Sequence, residues 1–435
     1  MAVQVPSTVD ARPGKPNGLI IDRPLAWSDA RRLAFDCATP ISPGPIPLGD
    51  AIGRVLAVDV TALQSLPHYA SSAMDGWAVN AGGPWAVTEP GRHLDPGSAA
   101  PIVTGGVIPP GAQAVLRLES GQLTTGPHGQ PLLVLRADAP AGEPRIGQHI
   151  RRSGSEAAAG ETLIAAGTAL NPAHIALAAV AGLDQLEVLG KPHVEMLLTG
   201  SEVVSSGIPL PGQVRDTFGP QLGAVIRLLG GIPGAQHRVG DSFEEWLAAL
   251  EASGIESRQG ADVVVTTGGT GRSASDHFRR AIAALGGQLL IDGIAMRPGH
   301  PAVLAKLPNG RFVVGLPGNP LAALMALFTI GSPLLAALGH RPLDEINRVP
   351  CGTAIDAHTA PTRLMPFRIL DGMALPVQHT GPGMMRGLAA ADGVMVVPSR
   401  GVQPGEPVPS FTLPWRPELP SLPVDRSIGA APWHA

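Results

Sequence analysis

The feature that most constrains the fold is an alternation of apolar runs and helical patterns between residues 191 and 340. The runs VEMLL (194–198), DVVVTT (262–267) and FVVG (312–315) each precede a glycine-containing turn and a segment with helical spacing. A chain that alternates strands and helices in this way builds a parallel sheet with helices on its faces. We therefore predict a doubly wound, parallel α/β domain over residues 191–343.

Two helices of this domain carry local signals for their ends. One is expected from about Asp216 to Leu229, because the glycine pair at 230–231 is a common helix stop. The other is expected to begin at Ser242, a favoured N-cap residue, with Glu244 and Glu245 in its first turn. Both helices would cover the predicted sheet.

The segments around this domain have different patterns. Residues 61–145 contain short apolar runs separated by glycine and proline, which predicts a small β-rich domain. Residues 22–60 and 146–190 have helical spacing at Trp27 to Phe35 and Ala173 to Gly182, and strand formers at 52–60. We predict that 22–60 plus 146–190 form one extended domain and that the β-rich domain is inserted into it.

The two ends of the chain are expected to be less regular. Residues 1–21 are polar and have no apolar signal-peptide region, so we expect a flexible tail. Residues 344–435 are proline-rich with short strands, which predicts a C-terminal β domain whose tail from Pro404 is mostly irregular. The run Leu321 to Leu338 has no charged residue, but Gly331-Ser332-Pro333 predicts a turn between two buried helices instead of a membrane span.

Charge and cysteine content exclude several protein classes. The chain has 31 Lys+Arg against 35 Asp+Glu, so it lacks the basic excess of a dedicated nucleic-acid binder. Its 2 cysteines, Cys37 and Cys351, cannot form a disulfide framework, which favours a reducing cytoplasm. The 55 glycines and 46 prolines imply many turns, while a 44% apolar content is typical of a folded chain.

Three glycine-containing turns follow the predicted strands. They are Thr199-Gly200-Ser201-Glu202, Thr266-Thr267-Gly268-Gly269-Thr270-Gly271 and Leu316-Pro317-Gly318-Asn319-Pro320. Turns at the carboxyl ends of parallel strands meet at one edge of a sheet, where α/β proteins bind ligands. Glycine lets the backbone approach an anion, and a helix N-terminus offers unpaired N–H groups to it. A phosphorylated or otherwise anionic small molecule is the predicted ligand.

Several polar residues near these turns allow two interpretations. Asp276 is either an N-terminal helix cap or a carboxylate that faces a metal–phosphate pair. Glu202 and Arg297 are either solvated side chains or ligands of an anionic substrate and its metal. Asp75 and Thr104 each lie in a string that is also typical of an ordinary turn. Local pattern alone leaves these alternatives open.

The order of the longer strings is more specific than any one of them. In sequence they are SSAMDGWAV, IVTGGVIPPGAQAVLRLE, the segment Arg151 to Glu156, LLTGSEV, VVVTTGGTGRSASDHF, MRPGHP and GLPGNPLAA. Together, over roughly 22–400, they resemble the molybdopterin molybdotransferases, the MoeA/gephyrin-type enzymes of molybdenum cofactor synthesis. The resemblance implies an elongated four-domain chain with a molybdopterin-binding α/β domain, an inserted β-rich domain and a C-terminal β-barrel-like domain. It also implies a homodimer.

The resemblance further implies a reaction and a set of site residues. Adenylylated molybdopterin would be hydrolysed as molybdate enters its dithiolene, with Mg²⁺ required and AMP released. The catalytic residues implied are Asp276, Glu202, Asp75, Thr104 and Arg297, with Asp75 and Thr104 supplied by the partner subunit. The Mg²⁺ ligands implied are Asp276, Glu202 and, at a looser spacing, Asp241. The pterin- and phosphate-binding residues implied are Thr199, Gly200, Ser201, Gly268, Gly269, Thr270, Gly271, Ser273, Pro298, Gly299, His300, Pro317, Gly318, Asn319 and Pro320.

The chain departs from the family pattern at charged positions. Ser201 stands where the family has an acid, Phe218 ends its D-x-N string, and Gly293, Arg297 and His300 stand where lysines are usual. Fewer cations should weaken a molybdate site, so a non-catalytic molybdopterin-binding paralogue or scaffold is one alternative. The string TTGGTG is closer to the molybdopterin adenylyltransferases, which makes that activity a second alternative.

Overall fold

A computed structural model describes residues 24–253, 260–272 and 276–416 of the chain. The chain divides into two compact units, one formed by residues up to 41 together with those from 190 onward, the other by 42–189. The first helix, α1 (Trp27–Asp36), therefore belongs to the same unit as the α/β sheet. Its buried Trp27, Ala30 and Ala34 join the apolar core of that unit.

The first unit is built on a six-stranded sheet. Its strands in chain order are β1 (His193–Thr199), β2 (Ile232–Val239), β3 (Val263–Thr267), β4 (Gln288–Asp292), β5 (Val303–Lys306) and β6 (Phe312–Leu316). Across the sheet they run in the order β2-β1-β3-β6-β5-β4. The four strands β2, β1, β3 and β6 are parallel, as predicted, but β5 and β4 are antiparallel to their neighbours. The prediction of a wholly parallel sheet was wrong because hairpins, too short for a crossover, join β4 to β5 and β5 to β6.

Helices cover both faces of this sheet. One face packs against α2 (Leu222–Leu228), α1 and the apolar segment from residue 320 to 338. The other face packs against α3 (Phe243–Ala252) and α4 (Phe278–Ala284). As predicted, α3 begins after Ser242, whose hydroxyl accepts the N–H of Glu245 at 3.2 Å. The layers place the turns after β1, β3 and β6 at one edge of the sheet.

Helix α2 is shorter than the sequence suggested. It begins at Leu222 instead of Asp216. The Asp216 carboxylate accepts the N–H groups of Phe218 and Gly219 at 2.9 and 3.0 Å and pairs with Arg238, so a side-chain turn replaces the first helical turns. Burial alone would raise the pKa of Asp216, but these hydrogen bonds outweigh burial and lower it.

The apolar segment from 320 to 338 is one continuous helix. It consists of α5 (Pro320–Ala326), a π-helical turn (Leu327–Gly331) and α6 (Ser332–Leu338). The predicted turn at Gly331-Ser332-Pro333 was wrong, because the wider π-helical turn absorbs the lost hydrogen bond of Pro333 without breaking the helix. The segment is long and apolar enough to cross a membrane, but it is 100% buried inside the protein.

The same unit holds a second, antiparallel-rich sheet and a small strand pair. Across this sheet the strands run in the order Met296–Arg297, Thr362–Leu370, Gly393–Pro398, Pro407–Thr412 and Asn347–Pro350. The strand Met373–Pro376 also pairs with Thr362–Leu370. The strand Pro407–Thr412 lies where the sequence suggested an irregular tail, because its backbone pairs with two neighbouring strands. The small pair is Val203–Val204 with Val214–Arg215, and a short helix spans Arg386–Ala389.

The second unit contains the predicted β-rich segment. Its six-stranded sheet has the order Ala114–Arg117, Gly76–Val79, Ser98–Ile102, Trp85–Val87, Pro131–Leu135 and Gly121–Thr125. The remaining elements are the helix Pro172–Val180, the short 3-10 helices Leu48–Asp50 and Leu118–Ser120, and the pairs Gly44–Pro47 with Gln185–Val188, Val60–Thr61 with Thr162–Ile164, and Ser71–Ser72 with Ile150–Arg151. The strand expected at 52–60 is mostly absent among these elements. Gly53 has φ 74°, outside extended geometry, and only isolated bridges form at Val55 and Leu56.

Candidate functional site

The glycine-containing turns after β1, β3 and β6 lie against one another. The Thr199 hydroxyl donates to the Thr267 carbonyl oxygen, and the Gly268 N–H donates to the Leu316 carbonyl oxygen at 2.9 Å. A Cβ built at Gly268 would lie 2.7 Å from Thr199 Oγ1, and one at Gly318 would lie 3.8 Å from Gly268 Cα. The structure therefore brings the turns 199–202, 268–271 and 317–320 together at the carboxyl end of the parallel strands.

The turn after β3 requires glycine. Gly268 and Gly269 have φ values of 79° and 64°, a region that other residues rarely adopt. A Cβ at Gly269 would lie 2.5 Å from the indole ring of Trp246, which reaches this turn from α3. The half-buried backbone of this turn thus lies against the Trp246 indole ring, a residue that was not singled out from the sequence.

Two carboxylates lie at the turn after β1. Asp241, which follows β2, accepts the N–H of Ser201 at 3.0 Å. Glu202 is exposed, and its Oε2 lies 2.9 Å from the position a Cβ would take on Gly200. The carbonyl oxygen of Asp241 also lies 2.8 Å from His277 Nε2, which ties this loop to the residues just before α4.

Asp276 is bound to the turn after β3. Its Oδ1 accepts the Gly271 N–H at 3.0 Å, and a Cβ at Gly271 would lie 2.6 Å from its Oδ2. The N-cap position of α4 is occupied by His277, so interpreting Asp276 as the helix cap was wrong. Its carboxylate instead faces the glycine-rich turn. Ser273, also predicted at this site, lies outside the described residues.

The carboxylate set fits a magnesium ion that shares its coordination with phosphate. Among the described residues, no group of three His, Cys, Asp or Glu is close enough to hold a metal alone. Magnesium is usually bound by one or two protein carboxylates, with waters and substrate phosphate oxygens completing its shell. Asp241 and Glu202 at one turn and Asp276 at the next supply oxygen ligands of this kind.

The turn after β6 leads into a helix whose first N–H groups were expected to be free to bind an anion, but two of them are already bonded. Asn319 occupies the N-cap of α5, and Pro320 is its first residue. The N–H groups of Leu321 and Ala322 donate to the carbonyl oxygen of Pro382, at 2.9 and 3.2 Å. These two donors are therefore used within the protein and are not offered to an anion.

The string 297–300 forms a bend against α5. Gly299 has φ 111°, and a Cβ there would lie 3.2 Å from the carbonyl oxygen of Ala322. His300 Nδ1 lies 2.7 Å from the Ile294 carbonyl oxygen, so this nitrogen carries a proton. Arg297 is exposed at the end of its short strand. The structure thus places this string beside α5, with an exposed arginine available to an anion.

Asp75 and Thr104 are bonded to each other in the second unit. The Asp75 carboxylate accepts the Thr104 N–H at 2.6 Å and its hydroxyl at 2.9 Å. The Thr104 N–H, and next its hydroxyl, lower the pKa of Asp75 below the usual value for a carboxyl group. The following Gly76 cannot be replaced, because a Cβ there would lie 2.0 Å from the Leu116 carbonyl oxygen. Asp75 is therefore a charged group held in place just before Gly76–Val79, an interior strand of the sheet in this unit.

Comparison with known proteins assigns the chain to a family. A family described as "MoeA N-terminal region (domain I and II)" matches residues 25–182, and one described as "Probable molybdopterin binding domain" matches residues 195–337. Molybdopterin molybdenumtransferase 2 of Mycobacterium tuberculosis is 33% identical over 402 residues, covering 86% of this chain and 95% of the relative. The chain belongs to the MoeA family.

Other MoeA-family proteins agree with this assignment. A molybdopterin molybdenumtransferase from Nostoc sp. is 32% identical over 314 residues, 68% of this chain and 69% of the relative. The crystal structure of a molybdopterin biosynthesis MoeA protein from Pyrococcus horikoshii aligns with a TM-score of 0.62 at 26% identity, covering 90% of this chain and 99% of that one. The multidomain, mixed α/β and β-rich architecture is therefore a MoeA-like fold.

The structure shows the surroundings of two residues, Ser201 and Gly293, at which the chain departs from the MoeA-family pattern. At the turn after β1, where Ser201 replaces the acid, the Asp241 carboxylate reaches the Ser201 N–H from the neighbouring loop. Gly293 is buried with φ 92° between Leu25 and Ala302, whose backbones it bonds. A lysine at 293 would be strained at this φ, so the backbone conformation of the hairpin favours glycine at this position over a charged side chain.

Sequence reasoning missed two charged residues beside the MoeA-family turn. Arg279 on α4 and Asp292 at the end of β4 form an ion pair with a shortest distance of 2.5 Å. Neither lies in a string that resembles the family pattern, so the only available signal was their charge in a weakly charged region. Arg279 contacts the glycine-rich turn directly and Asp292 contacts it through Arg279, so both belong to the candidate site.

Proposed function

We propose that this protein inserts molybdate into adenylylated molybdopterin and releases AMP in a magnesium-dependent reaction. Membership in the MoeA family makes the chain a transferase of molybdenum cofactor biosynthesis. The observation that carries the specific reaction is the meeting of three glycine-containing turns with Asp241, Glu202 and Asp276. Such an edge binds a phosphorylated ligand and the cation that accompanies it.

Each part of the site has a physical role in this proposal. The turn 268–271 lets the molybdopterin phosphate approach the backbone, because glycine leaves no side chain in the way. Asp276, Glu202 and Asp241 would hold Mg²⁺, which neutralises phosphate charge when bound. Arg297 is exposed and supplies a cation to the molybdate oxyanion. Positioning and charge neutralisation are the main sources of catalysis in such chemistry.

The finer architecture is part of the same proposal. The resemblance favours four domains, with a C-terminal barrel-like domain from residue 344 and an inserted domain at 61–145. It also favours a cytoplasmic homodimer in which Asp75 and Thr104 complete the site of the partner subunit. The polar contact between these two residues supports the proposal, because it holds an exposed, ionised carboxylate in place just before the strand Gly76–Val79.

The decisive experiment measures AMP release from adenylylated molybdopterin in the presence of Mg²⁺ and molybdate. We expect molybdate-dependent AMP release by the native chain and a loss of at least about 100-fold in Asp276→Asn, because charge stabilisation in a dry site is worth several kcal/mol. The matched control is Asp262→Asn, since Asp262 also accepts a backbone N–H, from His193 at 2.8 Å, but at the opposite end of β3. It should retain activity.

Other outcomes of this assay would favour the alternatives. Molybdopterin binding without AMP release would contradict the transferase and support a non-catalytic paralogue, a possibility motivated by Gly293 and His300. AMP incorporation into molybdopterin from ATP would instead support an adenylyltransferase, a possibility motivated by the TTGGTG string. Equal AMP release by Asp276→Asn and the native chain would remove Asp276 from the mechanism.

A further inference from the structure

Arg279 binds the back of the glycine-rich turn. Its Nη1 donates to the carbonyl oxygens of Thr270 and Gly271, at 2.9 and 2.6 Å. Its Nε and Nη2 both donate to Asp292 Oδ1, at 2.8 and 2.5 Å. One guanidinium group thus joins α4, the turn after β3 and the end of β4, and its side chain is only 22% exposed. Arginine suits this role because its fork offers several donors in fixed directions.

These contacts fix the direction of the peptide groups in the turn. In a trans peptide the carbonyl and the N–H point in opposite directions. Holding the carbonyl oxygens of residues 270 and 271 toward Arg279 therefore turns the N–H groups of Gly271 and Arg272 to the opposite side. The Gly271 N–H indeed donates to Asp276 at 3.0 Å. Arg279 and Asp276 lie on opposite sides of the turn.

Asp292 ties this arrangement to the hairpin that leads to Arg297 and His300. It ends β4 and directly precedes Gly293, so its pairing with Arg279 connects the turn with that hairpin. Asp292 also lies 3.5 Å from Arg272, the residue that follows the turn. The Asp292 side chain is only 28% exposed, so removing one partner of its pair with Arg279 leaves the other poorly solvated.

We propose that Arg279, held by Asp292, is a positioning residue that fixes the peptide orientation of the glycine-rich turn, so that the Gly271 N–H holds Asp276 and the Arg272 N–H faces the phosphate of molybdopterin. This inference rests on the proposed function. Arg279 does not touch the substrate: it acts through the carbonyl oxygens of Thr270 and Gly271. Without it the turn keeps its glycines but samples other peptide orientations, and a flexible turn must lose conformational entropy when it binds an anion.

The experiment compares Arg279→Met with Arg280→Met. Arg280 is the matched control because it is the next residue of α4 and its guanidinium lies over the Phe243 ring, 4.7 Å from the ring centroid. In the free protein, we expect hydrogen exchange in a peptide covering 266–272 to become faster in Arg279→Met only. The KM for adenylylated molybdopterin should rise roughly 10-fold, the loss expected for one hydrogen bond to a charged group, with kcat changing less.

A merely structural role makes a different prediction. It would lower thermal stability and the fraction of active enzyme, and so kcat, without raising KM in Arg279→Met above that in Arg280→Met. That pattern, or unchanged hydrogen exchange of the turn in Arg279→Met, would overturn the proposal. Arg279→Lys keeps the charge without the fork, and we expect it to restore stability more fully than KM.

Asp292→Asn tests whether Arg279 acts together with Asp292. It keeps an acceptor but removes the charge, so we expect a smaller rise in exchange and KM than in Arg279→Met, and little further effect in the double variant. Full additivity in the double variant would contradict action through Asp292.

The proposed reaction and the role of Arg279 can fail separately. If the native chain released no AMP, the proposed reaction would fail. Hydrogen exchange in the turn and the affinity for molybdopterin itself would still test the role of Arg279.

Discussion

The contacts with Thr104 lower the pKa of the exposed Asp75 carboxyl group. The N–H of Thr104, which is the larger influence, and its hydroxyl both donate to the carboxylate and lower its pKa. A depressed pKa means that this contact is stabilising above the ordinary pKa of a carboxyl group and is lost as pH falls through the lower, folded-state value. The carboxylate is therefore ionised throughout the range in which an enzyme of this type operates.

Thr104→Ala tests this coupling. The variant loses the hydroxyl but keeps the backbone N–H, so we expect the pKa of Asp75 to rise part of the way toward the ordinary value. Nuclear magnetic resonance titration of the Asp75 side chain measures this directly. Thr124→Ala, on the exposed strand Gly121–Thr125 of the same sheet, serves as the control and should leave the titration unchanged. An unaltered midpoint in Thr104→Ala would show that the hydroxyl contributes nothing.

The position of a residue at the site was predictable where its residue type and its place directly after an apolar run both pointed to a turn. The turns at 199–202 and 268–271 were identified from glycine and polar residues after apolar runs, and the structure brings them together. The competing interpretations of Asp276 could not be separated, because the sequence does not show that the helix begins only at Phe278, which leaves Asp276 one residue before the N-cap. Arg279 could not be identified from the sequence, because its partners lie in other elements, the turn after β3 and the end of β4.

At the level of elements, the long apolar helix shows what a local pattern omits. Proline and glycine at 331–333 predicted a break, yet α5 and α6 continue through a π-helical turn. Within that turn, Thr329 is fully buried, accepts the Trp27 indole N–H at 3.1 Å and donates to the Met325 carbonyl oxygen at 2.7 Å. The turn thus gives α1 a polar anchor inside an apolar core.

Thr329→Val should destabilise the first unit. Valine keeps the volume but leaves the buried Trp27 N–H without its acceptor, so we expect a loss of about 1–3 kcal/mol in the free energy of unfolding. Urea denaturation followed by circular dichroism measures it. The same substitution in a Trp27→Phe background should cost less, because the indole donor is already gone. Equal costs in both backgrounds would mean that the Trp27 contact does not carry the effect.

At the level of the whole molecule, the strand–helix alternation was sufficient to predict the α/β sheet and the edge at which its glycine-containing turns meet. It was not sufficient for the direction of β4 and β5, because strand direction depends on the length of the connections between strands, which the alternation does not define. Nor could it place α1, which lies at the start of the chain but packs on the α/β core. Contacts between distant segments decide both features, and periodicity reports only on neighbours.

Subunit mixing tests the proposed dimer most directly. If Asp75 of one subunit and Asp276 of the other form one site, an Asp75→Asn chain paired with an Asp276→Asn chain has one doubly damaged site and one intact site. We therefore expect each homodimer to be inactive and the purified heterodimer, isolated through two different affinity tags, to release AMP at about half the native rate. If both residues served the same subunit, every site in the heterodimer would carry one damaged residue and the mixture would stay inactive. A heterodimer of native chain with Asp276→Asn should be half active in either arrangement, and it controls for the effect of the tags.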